Sequence, residues 1–170
     1  MPGAEPLFRV LFVCTGNTCR SPLAAAAFRR ALGDRADRVQ VDSAGTAALA
    51  GSPASEGSRH VAARAGLDLA AHRSRRLDGD ILAGVDLVLL MDPRDRALVR
   101  ALDPEAASQT YGLADFGRAE PAGEAVPDPF GASPEAYEEC LRRIEEHLVR
   151  VVPYVRAAVE DRSSGAKKPS

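Results

Sequence analysis

The chain has 170 residues, 45% of them hydrophobic and 27% charged, which fits one domain with a sizeable apolar core. Its formal net charge of -2 argues against a general nucleic-acid or membrane binder. No apolar run approaches the roughly 18–20 residues that span a bilayer and no secretory leader pattern is present, so a cytoplasmic location is expected.

Residues 1–6 read as a loose lead-in. "FRVLFV" (8–13) is nearly continuous in apolar residues, the mark of a strand buried on both faces. Ser21 and Pro22 then read as the cap and first position of a helix running to Leu32, where Gly33 can stop it. "VQVDSAG" (39–45) is a second strand, and "SEGSRHVAARAG" (55–66) a helix again stopped by glycine. "GVDLVLLM" (84–91) is the clearest central strand, followed by a helix over 92–102 with Pro93 near its start. A short strand is expected around Thr110–Leu113, and 113–132 reads as a long loop, of a length that is usually functional or disordered. Ser133 and Pro134 open the last helix, whose apolar stripe is Tyr137, Leu141, Ile144, Leu148 and Val152, and Pro153 is expected to end or bend it. Residues 159–170 read as a disordered tail, which leaves 7–158 as a single domain. Strands alternating with helices predict an α/β fold with a parallel sheet.

Chemistry concentrates in "VCTGNTCRSP" (13–22). A loop between a parallel strand's C-terminal end and a helix start is where such sheets bind ligands. Unpaired N–H groups and the helix dipole favour an anion there. Gly16 and Asn17 both tolerate the positive φ that a curled loop needs. Arg20 adds a fork suited to phosphate oxygens, and Cys14 at the base is placed for in-line attack as a thiolate. The P-loop pattern of nucleotide-binding proteins is absent. Asp128, framed by Pro127 and Pro129, is a candidate acid for the leaving group, although Asp-Pro is equally ordinary turn chemistry. Three cysteines, at 14, 19 and 140, are too few for a disulfide framework and lack metal-ligand spacing. Cys140 lies beside the last helix's stripe and reads as core filler.

With these residues in hand, the chain resembles the low-molecular-weight protein phosphatases, the small cysteine-dependent tyrosine phosphatase family, over roughly residues 8–157. "VCTGNTCRSP" and "DPFG" carry the resemblance, and "DSAGT" (42–46) and "HRSRRL" (72–77) are further matching segments in order. The resemblance implies a three-layer, four-stranded parallel sheet with helices on both faces and the phosphate-binding loop between the first strand and first helix. It implies a phosphocysteine on Cys14, phosphate binding by Arg20 and by the loop Thr15, Gly16, Asn17, Thr18, Cys19 and Ser21, and acid then base catalysis by Asp128. Asn17, Ser21, Ser43 and His72 match the hydrogen-bond network that holds the loop. Without the resemblance Ser43 reads as a turn residue and His72 as a surface or core histidine. His60 and His147 gain no such role. Cys19 matches a second loop cysteine that can trap oxidised Cys14 as a disulfide.

No metal or cofactor is implied. The expected partners are phosphorylated proteins, with inorganic phosphate as product and neither nucleic acid nor membrane. Thr18 replaces a usual aliphatic residue, and Phe130-Gly131 replaces paired tyrosines. Both departures resemble the bacterial protein-arginine phosphatases, a branch of the same family, and make Thr18 and Phe130 specificity candidates. Protein phosphoarginine is therefore the favoured substrate, with phosphotyrosine as the alternative. A thiol-linked arsenate reductase is the alternative of another class, but it needs further redox cysteines.

Overall fold

Residues 7–165 are described in a computed structural model. The apolar run becomes strand β1 (Phe8–Cys14), which pairs in parallel with β2 (Val39–Gly45) on one side and β3 (Leu87–Leu90) on the other. β4 (Thr110–Gly112) adds to β3, giving a four-stranded sheet in the order β2-β1-β3-β4. Because side chains alternate across a strand, β1 feeds two cores. Phe8, Val10 and Phe12 pack with helices α1 (Arg20–Leu32), α2 (Glu56–Arg64) and α5 (Pro134–Gly165). Leu11 and Val13 pack with α3 (Gly79–Leu82) and α4 (Arg96–Leu102) on the other face. This is the parallel α/β sheet that the pattern predicted, in the three-layer form that the resemblance implied. It puts the carboxyl end of β1 where the chain turns to opposite sides, the usual ligand position in such sheets.

Four expectations about the elements are corrected. α1 starts at Arg20 with Cys19 in the cap position and no side-chain cap, because the Ser21 hydroxyl is engaged with Cys14 and Asn17 instead. Pro153 lies inside α5 without ending it. Its ring and Val149, four residues earlier, face solvent, so the carbonyl freed by the missing N–H is on the wet side. An interior proline costs about 3 kcal/mol or more, and burying Val151, Val155 and Val159 at about 1.5–3 kcal/mol each offsets it. The inner stripe accordingly runs through Val151, with Val152 only partly buried.

The expected tail is also shorter at its start. α5 continues to Gly165, and Arg162 donates to the Leu7 carbonyl and Asp86 while its guanidinium stacks 4.8 Å from the Phe8 ring centre. Residues 1–6 and 166–170, the expected lead-in and the end of that tail, lie outside the described residues. The long segment between β4 and α5 forms no helix or strand, as predicted. No helix among the described residues is long and apolar enough to cross a membrane.

Candidate active site

Cys14 is the last residue of β1, and its side chain sits under the loop to α1, 2% exposed. The Asn17 N–H donates to Cys14 Sγ at 3.3 Å. Ser21 Oγ lies 2.9 Å from the same sulfur. Asn17 Nδ2 donates to Ser21 Oγ at 2.8 Å, which leaves the Ser21 proton to point at the sulfur. Two donors thus face Cys14 Sγ.

Asn17 is the hub of the loop. It alone among the described non-glycine residues has positive φ, at 55°, whereas Gly16, also expected to need that freedom, does not. Its Nδ2 also donates to Ser43 Oγ at 2.9 Å, and its Oδ1 accepts the Arg75 N–H at 2.9 Å. His72 Nε2 meets the Asn17 carbonyl at 2.6 Å and donates to it. His72 is pushed below its usual range chiefly by burial, and then by the cations Arg29, Arg73 and Arg75, against the hydrogen bond to Asn17. A neutral ring with its proton on Nε2 satisfies both facts. Ser43 and His72, whose roles no local pattern disclosed, are therefore brought to the loop.

A close backbone approach fixes the loop from beneath. Thr46 and Ala47 N–H groups donate to the carbonyls of Cys14 and Thr15, each at 2.9 Å. A Cβ on Gly45 would fall 2.5 Å from the Thr15 oxygen and 2.9 Å from the Asn17 nitrogen, so only glycine admits this contact.

Arg20 opens α1, whose first turn carries no acidic residue to compete for an anion. The residue is 6% exposed. One terminal nitrogen donates to the Val126 carbonyl at 3.0 Å, and the other reaches Thr15 Oγ1 and Asp128 Oδ2, each at 3.4 Å. Its buried Nε has no partner among the described residues. A buried donor without an acceptor is costly, and an oxyanion in the loop would satisfy it. Asp128 is half-exposed, and its other oxygen accepts the Phe130 N–H at 3.1 Å, so the carboxylate is held at the mouth.

The resulting cleft, about 390 Å3, has Cys14 and Arg20 at its base and Thr18, Asp128 and Phe130 on its rim. Leu49, 81% exposed, also lines the cleft, as does Phe130, which is 70% exposed. Leu49, Ala47 and Ser52 were missed from the sequence. A single exposed leucine in a loop has no periodicity to betray it, and tertiary bonds bring this segment near, from Thr46 and Ala47 at one end and from the Ser55 N–H to the Thr18 carbonyl at the other. Cys19 is buried with its thiol directed to Ser55 Oγ at 3.1 Å and near Tyr137 Oη at 3.9 Å. Cys140 is buried in the α1–α5 core, and desolvation pushes its thiol up to about 12.

A cysteine under a cradle of donors, with a buried arginine beside it and a carboxylate at the rim, forms an anion-binding cleft of the phosphatase class on a doubly wound parallel sheet. The family description "Low molecular weight phosphotyrosine protein phosphatase" matches residues 9–162. The chain belongs to that family.

Among its relatives, a probable low-molecular-weight protein-tyrosine-phosphatase EpsP of Ralstonia nicotianae is 33% identical over 148 residues, covering 87% of this chain and 96% of that one. A protein-arginine-phosphatase of Geobacillus stearothermophilus is 35% identical over 144 residues, covering 85% and 93%. The solved YwlE arginine phosphatase of the same organism superposes with a TM-score of 0.80 at 32% identity, covering 91% and 96%. A YwlE variant whose active-site cysteine is replaced by a phosphorylated serine superposes at 0.79 with 27% identity, covering 88% and 96%.

Proposed function

We propose that the chain is a protein phosphatase acting through a phosphocysteine on Cys14, with protein phosphoarginine as its favoured substrate. The observation that carries the reading is the unpartnered buried Nε of Arg20 beside a sulfur already faced by two donors. A phosphoryl group in the cleft is then gripped by Arg20 and the loop N–H groups. Cys14 Sγ attacks phosphorus, the bond from phosphorus to the substrate nitrogen breaks, and Asp128 gives its proton to that nitrogen. Asp128, now a carboxylate, takes a proton from water as the water attacks phosphorus. The phosphorus–sulfur bond breaks, freeing phosphate and the thiolate. The phosphorylated serine of the YwlE variant supports covalent chemistry at the matching position.

For the substrate, the support is Thr18. It stands at the cleft, and its hydroxyl meets only Cys19 Sγ, at 3.8 Å, among the described residues. That leaves it able to bond a guanidinium or a water. Phe130 is a single aromatic wall rather than one of a pair. The second reading, phosphotyrosine, is favoured by the apolar Leu49 and Phe130 walls, which equally suit a flat ring, and by the similarity to EpsP. The arsenate-reductase alternative loses its relay, because Cys140 is buried with a thiol far from ionisation at neutral pH. Cys19 is the proposed redox partner of Cys14. Its thiol must leave Ser55 to reach it, and peptide mapping after mild peroxide tests the pairing.

The deciding experiment compares kcat/KM on phosphoarginine and phosphotyrosine peptides for wild type and Thr18→Ile. The hydroxyl contact is worth on the order of 1 kcal/mol, so the preference should move toward phosphotyrosine by about fivefold with the fold intact. A wild type that prefers phosphotyrosine, or a ratio that does not move, returns the assignment to the tyrosine substrate.

A further inference from the structure

The active-site cleft is not the roomiest cavity of the described molecule. A groove of about 830 Å3 opens next to it, lined by Glu56, Arg59 and His60 of α2 and by Gly131, Ala132 and Tyr137. The two cavities share one partition. Phe130 lines the cleft, and the next two residues line the groove. Two chain steps span at most about 7 Å, so a peptide passing over Phe130 enters the groove within a few residues.

Tyr137 also joins the two, with its ring in the groove and its hydroxyl 3.9 Å from Cys19 Sγ of the phosphate loop. The ring is seated so closely on α2 that a Cβ on Gly57 would lie 2.4 Å from it. The groove floor is therefore built rather than incidental.

Most arginines of the described surface are paired, with Arg76, Arg100 and Arg118 among the exceptions. Arg30, Arg35, Arg64 and Arg156 each lie within 3.6 Å of a carboxylate oxygen. Arg59 makes no ion pair or side-chain hydrogen bond with any described residue, although Glu56 sits one turn before it on the same helix. His60 beside it is likewise exposed and unpartnered.

We propose that this groove is a second recognition subsite for the phosphoprotein substrate. It takes the segment flanking the phosphorylated residue, with a carboxylate of that segment meeting Arg59. The inference rests on the phosphatase reading. Continuity with the cleft across Phe130 fixes the occupant as the same polypeptide, and the free guanidinium fixes its chemistry as acidic.

The test uses the full chain and peptides carrying one phosphorylated residue, with Glu or Lys placed in turn at each of the four positions on either side. Free phosphoarginine and free phosphotyrosine serve as substrates with no flank. Wild type should favour Glu over Lys at one or two positions by about three- to fivefold in kcat/KM. Arg59→Glu should invert that preference at the same positions and leave turnover of the free phosphoamino acids unchanged. A flat flank profile in wild type, or one that Arg59→Glu leaves unaltered while the free compounds are hydrolysed, overturns the subsite and spares the phosphatase reading. Absence of turnover on every substrate overturns both.

Discussion

Replacing Gly45 with alanine separates the support of the phosphate loop from its chemistry. The added methyl would stand 2.5 Å from the Thr15 carbonyl oxygen and 2.9 Å from both the Asn17 nitrogen and the Ala48 Cβ. An ordinary contact begins near 3.4 Å, so the loop must retreat by about 0.9 Å at Thr15. Thr15 follows Cys14 directly, and its carbonyl is tied to the Ala47 N–H, so the sulfur and the oxyanion donors shift with it. Overpacking of this kind costs about 1–3 kcal/mol, which in a chain of this size lowers Tm by about 2–12 °C. A displacement near 1 Å at reacting atoms costs about 10²-fold in rate. We therefore expect kcat/KM on an aryl phosphate to fall about 30–100-fold while the variant stays folded at the assay temperature.

Gly16→Ala is the matched control. It lies within the cysteine–arginine motif itself, yet its Cβ would meet only Thr18 Oγ1, at 3.6 Å, and its φ is not positive. Its Tm should match wild type or rise slightly. The assay pairs steady-state kinetics with thermal melts for both variants. A Gly45→Ala protein with wild-type kcat/KM and Tm would refute the close-approach argument.

Cys14→Ser should lose turnover while phosphate still binds, read by calorimetry, because the cradle persists and a hydroxyl is a far weaker nucleophile near neutral pH. Asp128→Asn should slow hydrolysis about 10²–10⁴-fold for substrates with poor leaving groups and much less for activated aryl phosphates. Equal losses would reduce Asp128 to a shaper of its loop. His72 and His147 are both held below their ordinary 6.5, chiefly by burial. Their contribution to stability is complete above pH 6.5 and lost as pH falls through the lower folded-state values, because the unfolded chain takes up protons first. A denaturant series from pH 7.5 to 5 should show that decline, and a His72→Gln/His147→Gln variant should flatten it.

Periodicity made most of the fold readable. β1 and β3 announce themselves as apolar runs, and the α5 stripe recurs at helical spacing. The misreadings share a physical cause, which is that tertiary partners outbid local signals. Ser21 carries the composition of a helix cap but spends its hydroxyl on Cys14, and Pro153 carries the composition of a helix stop but faces water on a helix held from within. α3 is four residues long, too short for a period, and rests on the Asp78 side chain accepting the Ile81 N–H. At the site, Cys14, Arg20 and Asp128 were legible because reactive residue types stand beside glycine and proline punctuation. Ser43 and His72 needed the family likeness. Leu49 and the Val126 carbonyl were beyond reach, since an exposed aliphatic and a backbone oxygen have no signature of their own.

Arg20 grips the backbone of the acid-bearing segment through the Val126 carbonyl, and that segment is tied again by the Val126 N–H to the Met91 carbonyl at the end of β3. One side chain therefore belongs to two equilibria, oxyanion occupancy and the seating of the strap that holds Asp128. Such sharing is reciprocal: whatever affinity a seated strap lends the oxyanion, the oxyanion returns as tenacity of the strap. Free phosphate, the product under the proposed function, would draw on the same reciprocity as the substrate. In the proposed cycle the contact that seats Asp128 would therefore also hold the released phosphate, and inhibition by added phosphate should weaken in step when that contact is lost.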